Sequence, residues 1–307
     1  MNRNFHNNKT FNGGGSSGKK LLAALLLLLA GSLVGYFTLN VGQIQSSNGG
    51  KSLNPALPVA NVPSTPEHEG VTPKGNISPY TGQEISNDAM NNIPFMTIIE
   101  NSRPARPQSG LSQADIVFET MAEGGIPRFI ALFHSSSPKE IGPVRSARPY
   151  FVMLAKEYNL PFGHCGGSEE ALDKIDREHL MSMNEFDYGS YYWRDKSRKA
   201  PHNLYTSAEK LRTLITNKKF VQKPISSLKF SKDYWEKSFN KAEKINMNLN
   251  QYYSTSYDYR DGLYYKSMDG TAAVDKSNGN AIAVTNIVIQ FTEIHPIAND
   301  DKGRIEI

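Results

Sequence analysis

Two arginines stand directly before a proline that can begin a helix, and this stretch is the part of the sequence best suited to chemistry. Arg145 and Arg148 precede Pro149 within the segment GPVRSARPYFVMLA, residues 142–155. Proline is favoured at the first helical position, where its missing N–H would be unpaired anyway. A helix start carries free N–H groups and the positive end of the helix dipole, so cations beside it call for an anion. That anion could be a ligand's phosphate or carboxylate, or one of the protein's own acids.

Other cations and polar groups are predicted to line the approach to this anion. Arg106 is held on a stiff segment because it precedes Pro107. His202 and Asn203 end an irregular stretch, residues 191–203, that is dense in aromatic and cationic side chains, a composition typical of functional loops. The predicted ligand site therefore contains a set of cations, acids and hydrogen-bonding groups: Arg106, Glu119, Arg128, Arg145, Arg148, His164, His202 and Asn203.

The same portion of the chain also holds acids that could pair these arginines internally. Arginine's planar fork suits bidentate binding to a carboxylate, so a purely structural role for the cations stays open. The acids concerned are Glu100, Asp115, Glu119 and Glu123.

Three side chains are candidates for acid–base or nucleophilic chemistry. His164 and His202 could serve as acid and base, although neither stands in a recognisable metal or triad spacing and both could be structural. Cys165 could be a nucleophile or a buried, inert thiol at the end of a strand. Gly166–Gly167 could cradle a phosphate or simply make a tight connection, since a lone glycine pair lacks the spacing of a P-loop.

We predict no cofactor and no metal site. Asp258, Asp261, Asp269 and Asp275 do not have calcium-loop spacing and are interpreted as hairpin-turn residues.

The elements that would position these groups alternate between strands and helices. Residues 93–100 are predicted to form a buried first strand, and 116–122 and 128–133 a pair joined by a Glu-Gly-Gly turn, with Glu119 on the face opposite Phe118. A short strand is predicted at 160–165.

Three helices are predicted between and after these strands. The first begins at Pro149 and should be buried, because Tyr150–Ala155 is apolar on every face. The second, near 169–177, is capped by Ser168. The third runs to about Thr216 from a capping box of Thr206 and Glu209.

From Lys244 the pattern changes to Tyr-rich alternating strands separated by Asp-Gly and Asn-Gly turns, with 282–294 as the best strand. The last four residues alternate like a strand entering a sheet. One interpretation is that the chain is a fragment truncated within this domain.

A run of apolar residues, Leu21–Leu39, is long enough to cross a bilayer as a helix. Arg3, Lys9, Lys19 and Lys20 precede it, which places the N-terminus in the cytoplasm and the rest outside. An uncleaved signal anchor is favoured over a removed signal peptide, since no A-x-A site follows.

The charge of the remaining chain argues against nucleic acid as a partner. The whole sequence has a net charge of +4, but four of its 34 basic residues precede the apolar run and no acid occurs before Glu67. The rest is balanced, with 30 basic and 30 acidic residues, so a broad polyanion-binding face is not expected. Cys165 is the one cysteine, which excludes an internal disulfide and fits a bacterial envelope protein that relies on its core.

Five motifs occur in order along the chain: ARPQSGLSQADIVFE, EGGIPRF, IGPVRSARPYF, HCGGSEEAL and RDKSRKAPHNLYTS. Together they resemble the YerB-like family of bacterial proteins, named as lipoproteins, whose biochemical function is not established. The resemblance covers roughly residue 79 to the end. It implies a mixed α/β domain followed by a smaller β-rich domain outside the membrane, and it supplies no catalytic residues. Ser32 stands where the lipidated cysteine of the family's usual anchor would be.

The predicted fold is α/β of the mixed α+β kind, with a transmembrane helix. The expected divisions are a disordered cytoplasmic tail at 1–20, the membrane segment at 21–39, a flexible linker at 40–78, an α/β domain at 79–220 and a β-rich domain at 221–307.

Three functions remain open. The first is a membrane-anchored extracytoplasmic protein that binds an anionic ligand or partner through an Arg-rich cleft. The second is a hydrolase or transferase acting on an envelope polymer, with Glu119 or His164 as acid–base and the arginines stabilising developing charge. The third is a structural interaction domain whose arginines are all paired internally.

Overall fold

The computed structural model describes residues 75–221, 228–230, 242–297 and 304–307. These residues lie within one compact unit, Thr65–Ile307, which is a mixed α+β structure with several sheets and few helices. The described α-helices are α1 (Asn87–Met90), α2 (Pro149–Glu157), α3 (Glu169–Arg177) and α4 (Ala208–Lys218), and short 3-10 helices lie at Arg103–Ala105, Leu111–Gln113, Glu123–Gly125 and Gly189–Tyr191. The first nine strands are β1 (Asn76–Ile77), β2 (Glu84–Ile85), β3 (Phe95–Glu100), β4 (Ile116–Met121), β5 (Pro127–Phe133), β6 (Phe162–His164), β7 (Ser182–Asn184), β8 (Trp193–Arg194) and β9 (Leu204–Tyr205). The remaining strands are β10 (Lys244–Asn248), β11 (Ser254–Arg260), β12 (Leu263–Met268), β13 (Thr271–Ala272), β14 (Ala283–Val284), β15 (His295–Pro296) and β16 (Ile305–Glu306).

A five-stranded sheet in the order β4-β5-β3-β6-β7 organises the first part of the chain. Strand β3 is antiparallel to β5 and parallel to β6, and β6 is parallel to β7. Every residue of β3 is buried, as its continuous apolar sequence predicts for a strand covered on both faces. The predicted strands at 93–100, 116–122, 128–133 and 160–165 are confirmed within one or two residues at most ends.

The two faces of this sheet pack against different partners, because successive side chains of a strand point to opposite sides. Met96 and Ile98 share one core with apolar residues of helices α2 and α3. Phe95 and Ile99 share the other core with helix α4 and with residues from the second half of the chain. The sheet therefore forms the middle layer between these two cores.

Two helix predictions need correction. Helix α2 begins at Pro149 as predicted, but it is not buried on every side, since Met153 is 50% exposed while Phe151 faces the core. It lies along the surface of the sheet, so one side of it meets water. Helix α4 is capped by Ser207, which accepts a hydrogen bond from the N–H of Lys210, and not by Thr206. The hydroxyl of Thr206 instead donates to the carbonyl oxygen of Tyr191.

A second sheet forms the β-rich part, with β10, β11, β12 and β13 in order and β14 paired to β12. Two of its turns are Asp-Gly pairs, Asp261–Gly262 and Asp269–Gly270, in which both residues have positive φ. That backbone matches the twist of a tight hairpin and suits Asp-Gly. The predicted long strand at 282–294 is wrong, because only Ala283–Val284 and, just beyond it, His295–Pro296 are paired.

Asp275 joins the β-rich part to the first part of the chain. Its carboxylate is fully buried and accepts hydrogen bonds from the N–H groups of Gly110 and Ser112 and from the Ser112 hydroxyl. It also accepts from Ser277 beside it. We call this arrangement the Asp275 clasp. Asp275 is therefore more than the turn residue that its sequence suggests, and Asp258 lies within strand β11 and not in a turn.

The predicted tail, membrane segment and most of the linker lie outside the described residues. In the part of the chain that the structure does describe, no helix combines the length and the apolar character needed to cross a bilayer. Strand β1 already lies within residues predicted as linker, because it pairs with β2.

Candidate functional site

The anion at the start of helix α2 is one of the protein's own acids, Glu123. Arg148 binds the Glu123 carboxylate through two guanidinium nitrogens, with its Nε 2.6 Å from Oε2. Arg128 donates to Glu123 Oε1 at 2.5 Å and to the carbonyl oxygen of Ser146 at 3.1 Å. Arg148 also donates to the carbonyl oxygen of Ala147. These two arginines are paired internally, which was the alternative left open by the sequence.

Burial opposes ionisation of the Glu123 carboxyl, but the hydrogen bond from Arg148 and the charges of Arg128 and Arg148 outweigh it. They lower the pKa of Glu123 to about 2. Glu123 is therefore a firmly ionised carboxylate that locks both arginines in place.

Arg145 is held differently, although it stands only three residues from Arg148. Within the described part of the chain its guanidinium makes one long ion pair, with Nε 3.6 Å from Oε1 of Glu100, and its side chain is 30% exposed. Its backbone is fixed, since its N–H donates to Ile98 and its carbonyl oxygen accepts from Cys165. The main chain therefore fixes Arg145 in place, while most of its donors stay available.

Glycine at position 142 lets the segment that carries Arg145 run close to strand β9. Gly142 has a φ of 150°, and a side chain there would lie 2.8 Å from the carbonyl oxygen of Leu204. The segment forms bridges to β3 at Ile99 and, at Ile141, to Thr206. The segment therefore lies between strand β3 and the residues that follow His202.

Glu100 links Arg145 to His202. Its side chain is only 3% exposed, and its Oε1 accepts from the Ser102 hydroxyl at 2.7 Å and lies 2.9 Å from Nδ1 of His202. The other carboxylate oxygen, Oε2, is buried and has no hydrogen-bond partner among the described residues. The imidazole of His202 is 25% exposed. We call Glu100, Arg145 and His202 the Glu100 cluster.

This cluster lies at the edge where the parallel strands end. Glu100 is the last residue of β3, Cys165 directly follows β6 and Glu185 directly follows β7. In open α/β sheets, ligands bind in the crevice outside the carboxyl ends of the strands. The loop that carries His202 is held there by Arg198, which donates to the carbonyl oxygens of Pro104 and Pro107.

Arg106 and Glu119 belong to a neighbouring polar network that reaches the β-rich part. Arg106 donates to Oδ1 of Asn101 and to Asp269, both at 2.9 Å. Glu119 accepts from Asn101 at 2.8 Å and from Lys266 Nζ at 2.7 Å. Since Asn101 follows Glu100 directly, this network adjoins the Glu100 cluster.

His164 is not placed to act on a ligand. It is fully buried, with Nδ1 2.8 Å from the carbonyl oxygen of Gly166 and Nε2 2.8 Å from the Ser182 hydroxyl. Burial lowers its pKa to about 4, only partly offset by the Gly166 bond, so it is neutral at physiological pH. This geometry favours the structural interpretation of His164.

Asn203 holds its own loop together. Its amide donates to the carbonyl oxygens of Asp195 and Arg198 and accepts from Arg194. These bonds fix the position of the neighbouring His202, and they engage the Asn203 side chain within its own loop. The predicted site residues thus fall into separate groups. Arg128 and Arg148 bind Glu123, Arg145 and His202 belong to the Glu100 cluster, and Arg106 and Glu119 bond to Asn101, while His164 and Asn203 belong to none of these.

Positive charge exceeds negative charge among the ion pairs around the predicted site. Within the described residues, six cations face four carboxylates there, in four separate groups of ion pairs. The cations are Arg103, Arg106, Arg128, Arg145, Arg148 and Lys266, and the carboxylates are Glu100, Glu119, Glu123 and Asp269. An added anion would therefore improve the charge balance.

Other predicted chemistry finds little support. Burial and the adjacent Glu185 raise the pKa of the Cys165 thiol to about 11, so it is a poor nucleophile. The N–H of Gly166 already donates to Oδ1 of Asn184, which favours the tight connection over a phosphate loop. Within the described ranges, no three His, Cys, Asp or Glu side chains are grouped so that they could hold a metal ion.

Two polar residues beside the predicted site, Lys266 and Ser102, were not identified from the sequence. Lys266 is buried and pairs with Glu119, and it stands in β12 at the same alternation parity as the buried Met268. A lysine on the inward face of a strand is a signal that could have been noticed. Ser102, by contrast, has no such signature.

Known protein families match this chain in two consecutive parts, in agreement with the division into a first sheet and a β-rich part. The N-terminal domain of the family described as "Protein of unknown function (DUF3048)" matches residues 80–221, and its C-terminal domain matches residues 244–307. The predicted boundary at residue 220 itself stays a prediction.

A curated relative and a solved structure point to the same group. The chain is 34% identical over 236 residues to "Putative lipoprotein YerB" of Bacillus subtilis, covering 75% of this chain and 71% of the relative. The crystal structure of the YerB protein from Bacillus subtilis matches with a TM-score of 0.65 and 32% identity, over 75% of this chain and 79% of that chain. The resemblance found in the sequence motifs is confirmed, and the chain belongs to the DUF3048 family of proteins of unknown function.

Proposed function

We propose that this protein binds an anionic ligand outside the cell through the Glu100 cluster, with Arg145 as the principal ligand-binding residue. The observation that carries the proposal is the contrast among the four arginines of the predicted site. Arg106, Arg128 and Arg148 each have a carboxylate within 2.9 Å, whereas the nearest carboxylate oxygen to Arg145 is 3.6 Å away. Most N–H groups of the Arg145 guanidinium thus remain able to bind a ligand.

His202 supports the same proposal from the other side of Glu100. The carboxylate fixes one ring nitrogen, and no described residue bonds the other. A ligand oxygen could therefore meet both a guanidinium and an imidazole, while the surplus of positive charge favours an anion over a neutral group.

The proposed location is the outer face of a bacterial membrane. It rests on the apolar segment Leu21–Leu39 with basic residues before it, and on the name of the relative, which calls it a lipoprotein. Ser32 cannot carry a thioether lipid, so attachment through the apolar segment itself is proposed here. Release of the full chain from membranes by alkaline carbonate would argue against this attachment.

The test compares two arginines of the same segment. We expect Arg145→Gln to weaken binding of inorganic phosphate or succinate at least about tenfold, because a charge-assisted hydrogen bond is lost. It should change the free energy of unfolding by less than about 1 kcal/mol, since the ion pair is long and part-exposed. Isothermal titration calorimetry and urea unfolding measure the two effects.

Arg148→Gln is the matched control. It should cost about 3 kcal/mol or more of stability, because it leaves the part-buried Glu123 short of a partner, and it should leave anion affinity near that of the unchanged chain. If neither phosphate nor succinate binds the full chain, the structural interpretation of the arginines replaces this proposal.

A further inference from the structure

The geometry of the Glu100 cluster points to a catalytic activity in addition to the proposed anion binding. We infer that His202 is an acid–base catalyst, held by Glu100, for hydrolysis of a phosphoester whose charge is bound by Arg145. This inference rests on the proposed anion binding and names the substrate class and reaction of that same site.

The first step concerns the orientation of the imidazole. An ionised carboxylate only accepts hydrogen bonds, so the Nδ1 that lies 2.9 Å from Glu100 must carry a proton. In the neutral ring this leaves the lone pair on Nε2, and no described residue bonds that nitrogen. A carboxylate at Nδ1 and a free Nε2 are the arrangement by which histidine bases are oriented in hydrolases.

The second step concerns how firmly Glu100 is held. Its side chain is 3% exposed and accepts from Ser102, and its carbonyl oxygen accepts from Gln108 at 3.0 Å. The orienting carboxylate is therefore fixed from its side chain and its main chain. His202 is fixed in turn by the loop contacts of Asn203 and Arg198.

The third step identifies the substrate class. Arg145 Nε and His202 Nδ1 approach the same oxygen atom of Glu100, at 3.6 and 2.9 Å. The guanidinium that would bind the negative charge and the imidazole that would activate water therefore share one carboxylate oxygen. A phosphoester carries its charge on the reacting phosphorus group, whereas a carboxylic ester or amide is neutral at the carbon that is attacked. The guanidinium fork also fits phosphate oxygens.

The reaction needs only water as a second reactant. Nε2 of His202 accepts a proton from a water molecule while the water oxygen bonds to phosphorus. The bond from phosphorus to the leaving oxygen breaks on the side opposite the attacking water, so that oxygen takes a proton from solvent water, and Nε2 returns its proton to the solvent. The products are a phosphate with one new hydroxyl and a free alcohol, and His202 returns to its neutral form.

The other candidate bases are already engaged. Glu119 is bound by Lys266 and Asn101, and both ring nitrogens of His164 have partners. The acid–base role predicted for Glu119 or His164 is therefore reassigned to His202.

The experiment uses the full chain with bis(para-nitrophenyl) phosphate and para-nitrophenyl phosphate, following release of nitrophenolate. We expect His202→Gln to lower kcat at least about 100-fold, the usual contribution of general acid–base catalysis. Glu100→Gln should lower kcat with KM near its original value, because Glu100 positions the base, and Arg145→Gln should chiefly raise KM. His179→Asn, at an exposed histidine with positive φ, is the control and should match the unchanged chain.

A second measurement does not depend on turnover. Diethyl pyrocarbonate should modify His202 but not the buried His164, and inorganic phosphate should protect His202, as read by mass spectrometry of the peptides. Hydrolysis of both esters no faster than by His202→Gln overturns the acid–base role. If phosphate still protects His202 in that case, anion binding survives; if it does not, the proposed function fails as well.

Discussion

Arg145 and Arg148 show how two identical side chains in one short segment can have different roles. Arg148 is tied by two nitrogens to Glu123, and its partner Arg128 completes that pairing. Arg145 has a longer contact with Glu100 and more exposure to solvent. The first arrangement fixes the start of a helix, and the second leaves a cation available to a ligand.

Glu123 should make the protein sensitive to acid. Its pKa is lowered to about 2 from the ordinary 4.5, so between these values the unfolded chain binds a proton that the folded chain does not. The stabilisation is fully present above about pH 4.5 and is lost as the pH falls toward 2. We expect Glu123→Gln to cost about 3 kcal/mol at neutral pH and to flatten this part of the acid transition, as measured by urea unfolding at several pH values.

The exposed Glu157 of helix α2 offers a control for this experiment. Glu157→Gln should leave both the free energy of unfolding and its pH profile nearly unchanged. An acid transition of the same steepness in Glu123→Gln and the unchanged chain would show that Glu123 is not the responsible group.

At this scale the sequence identified the participants but not their pairing. It named Glu123 and Glu100 as acids able to bind the arginines, and it named His202. It could not say that Glu123 takes two arginines and Glu100 takes the histidine, because Glu100 and His202 are 102 residues apart in the chain. Such a contact depends on how the loop before β9 docks, and no local pattern encodes it.

Helices and strands of this protein were predictable where their signals are local. The Asp-Gly turns between β11, β12 and β13 need a positive φ at two successive positions, and that requirement is visible in the sequence. The strand predicted at 282–294 failed for the opposite reason. An apolar, β-branched run becomes a strand only where another strand lies beside it, and here β12 pairs with Ala283–Val284 alone.

The start of helix α4 gives a test at the level of one element. Ser207 accepts from the N–H of Lys210, which removes one unpaired donor of the first turn. We expect Ser207→Ala to lower the free energy of unfolding by about 1 kcal/mol, the usual cost of losing such a cap, as measured by urea unfolding.

Exposed Ser197 is a suitable comparison, because it caps no helix and alanine keeps the main-chain N–H that bonds to Asp195. Ser197→Ala should be close to neutral. A capping box at Thr206, as the sequence predicts, would instead require Ser207→Ala to be without effect.

Over the whole molecule, the β-rich part is joined to the first sheet by polar contacts as well as by apolar packing. The Asp275 clasp lies beside the contact of Lys276 with Asp195, at 2.8 Å, on the loop that carries His202. Apolar side chains of the second sheet, among them Met268, enter the core of the first. The two parts should therefore unfold together.

Breaking the Asp275 clasp should make the β-rich part less stable than the first sheet. Asp275→Ala removes the acceptor for the buried N–H of Gly110 and for the Ser112 hydroxyl. We expect a loss of about 3 kcal/mol, because several buried donors lose their partner at once. Hydrogen exchange measured by mass spectrometry should show faster exchange in β11 and β12 than in β3 and β5.

Asp258, part-exposed and paired with Lys244 on the second sheet, provides the control position. Asp258→Ala should change exchange little. Equal acceleration in both sheets of Asp275→Ala would mean that the clasp does not divide the molecule in the way described.

The distance along the chain between Glu100 and His202 also bears on how the protein acquires its site. A newly made polypeptide holds the glutamate long before the histidine has been synthesised, and the connection between them includes β6, β7 and two helices. Contacts of such high sequence separation form late and slow down folding. Assembly of the imidazole against its carboxylate thus reports that the loop after the first sheet has docked, and a chain cut short before residue 202 would keep all five strands of that sheet yet have no such group.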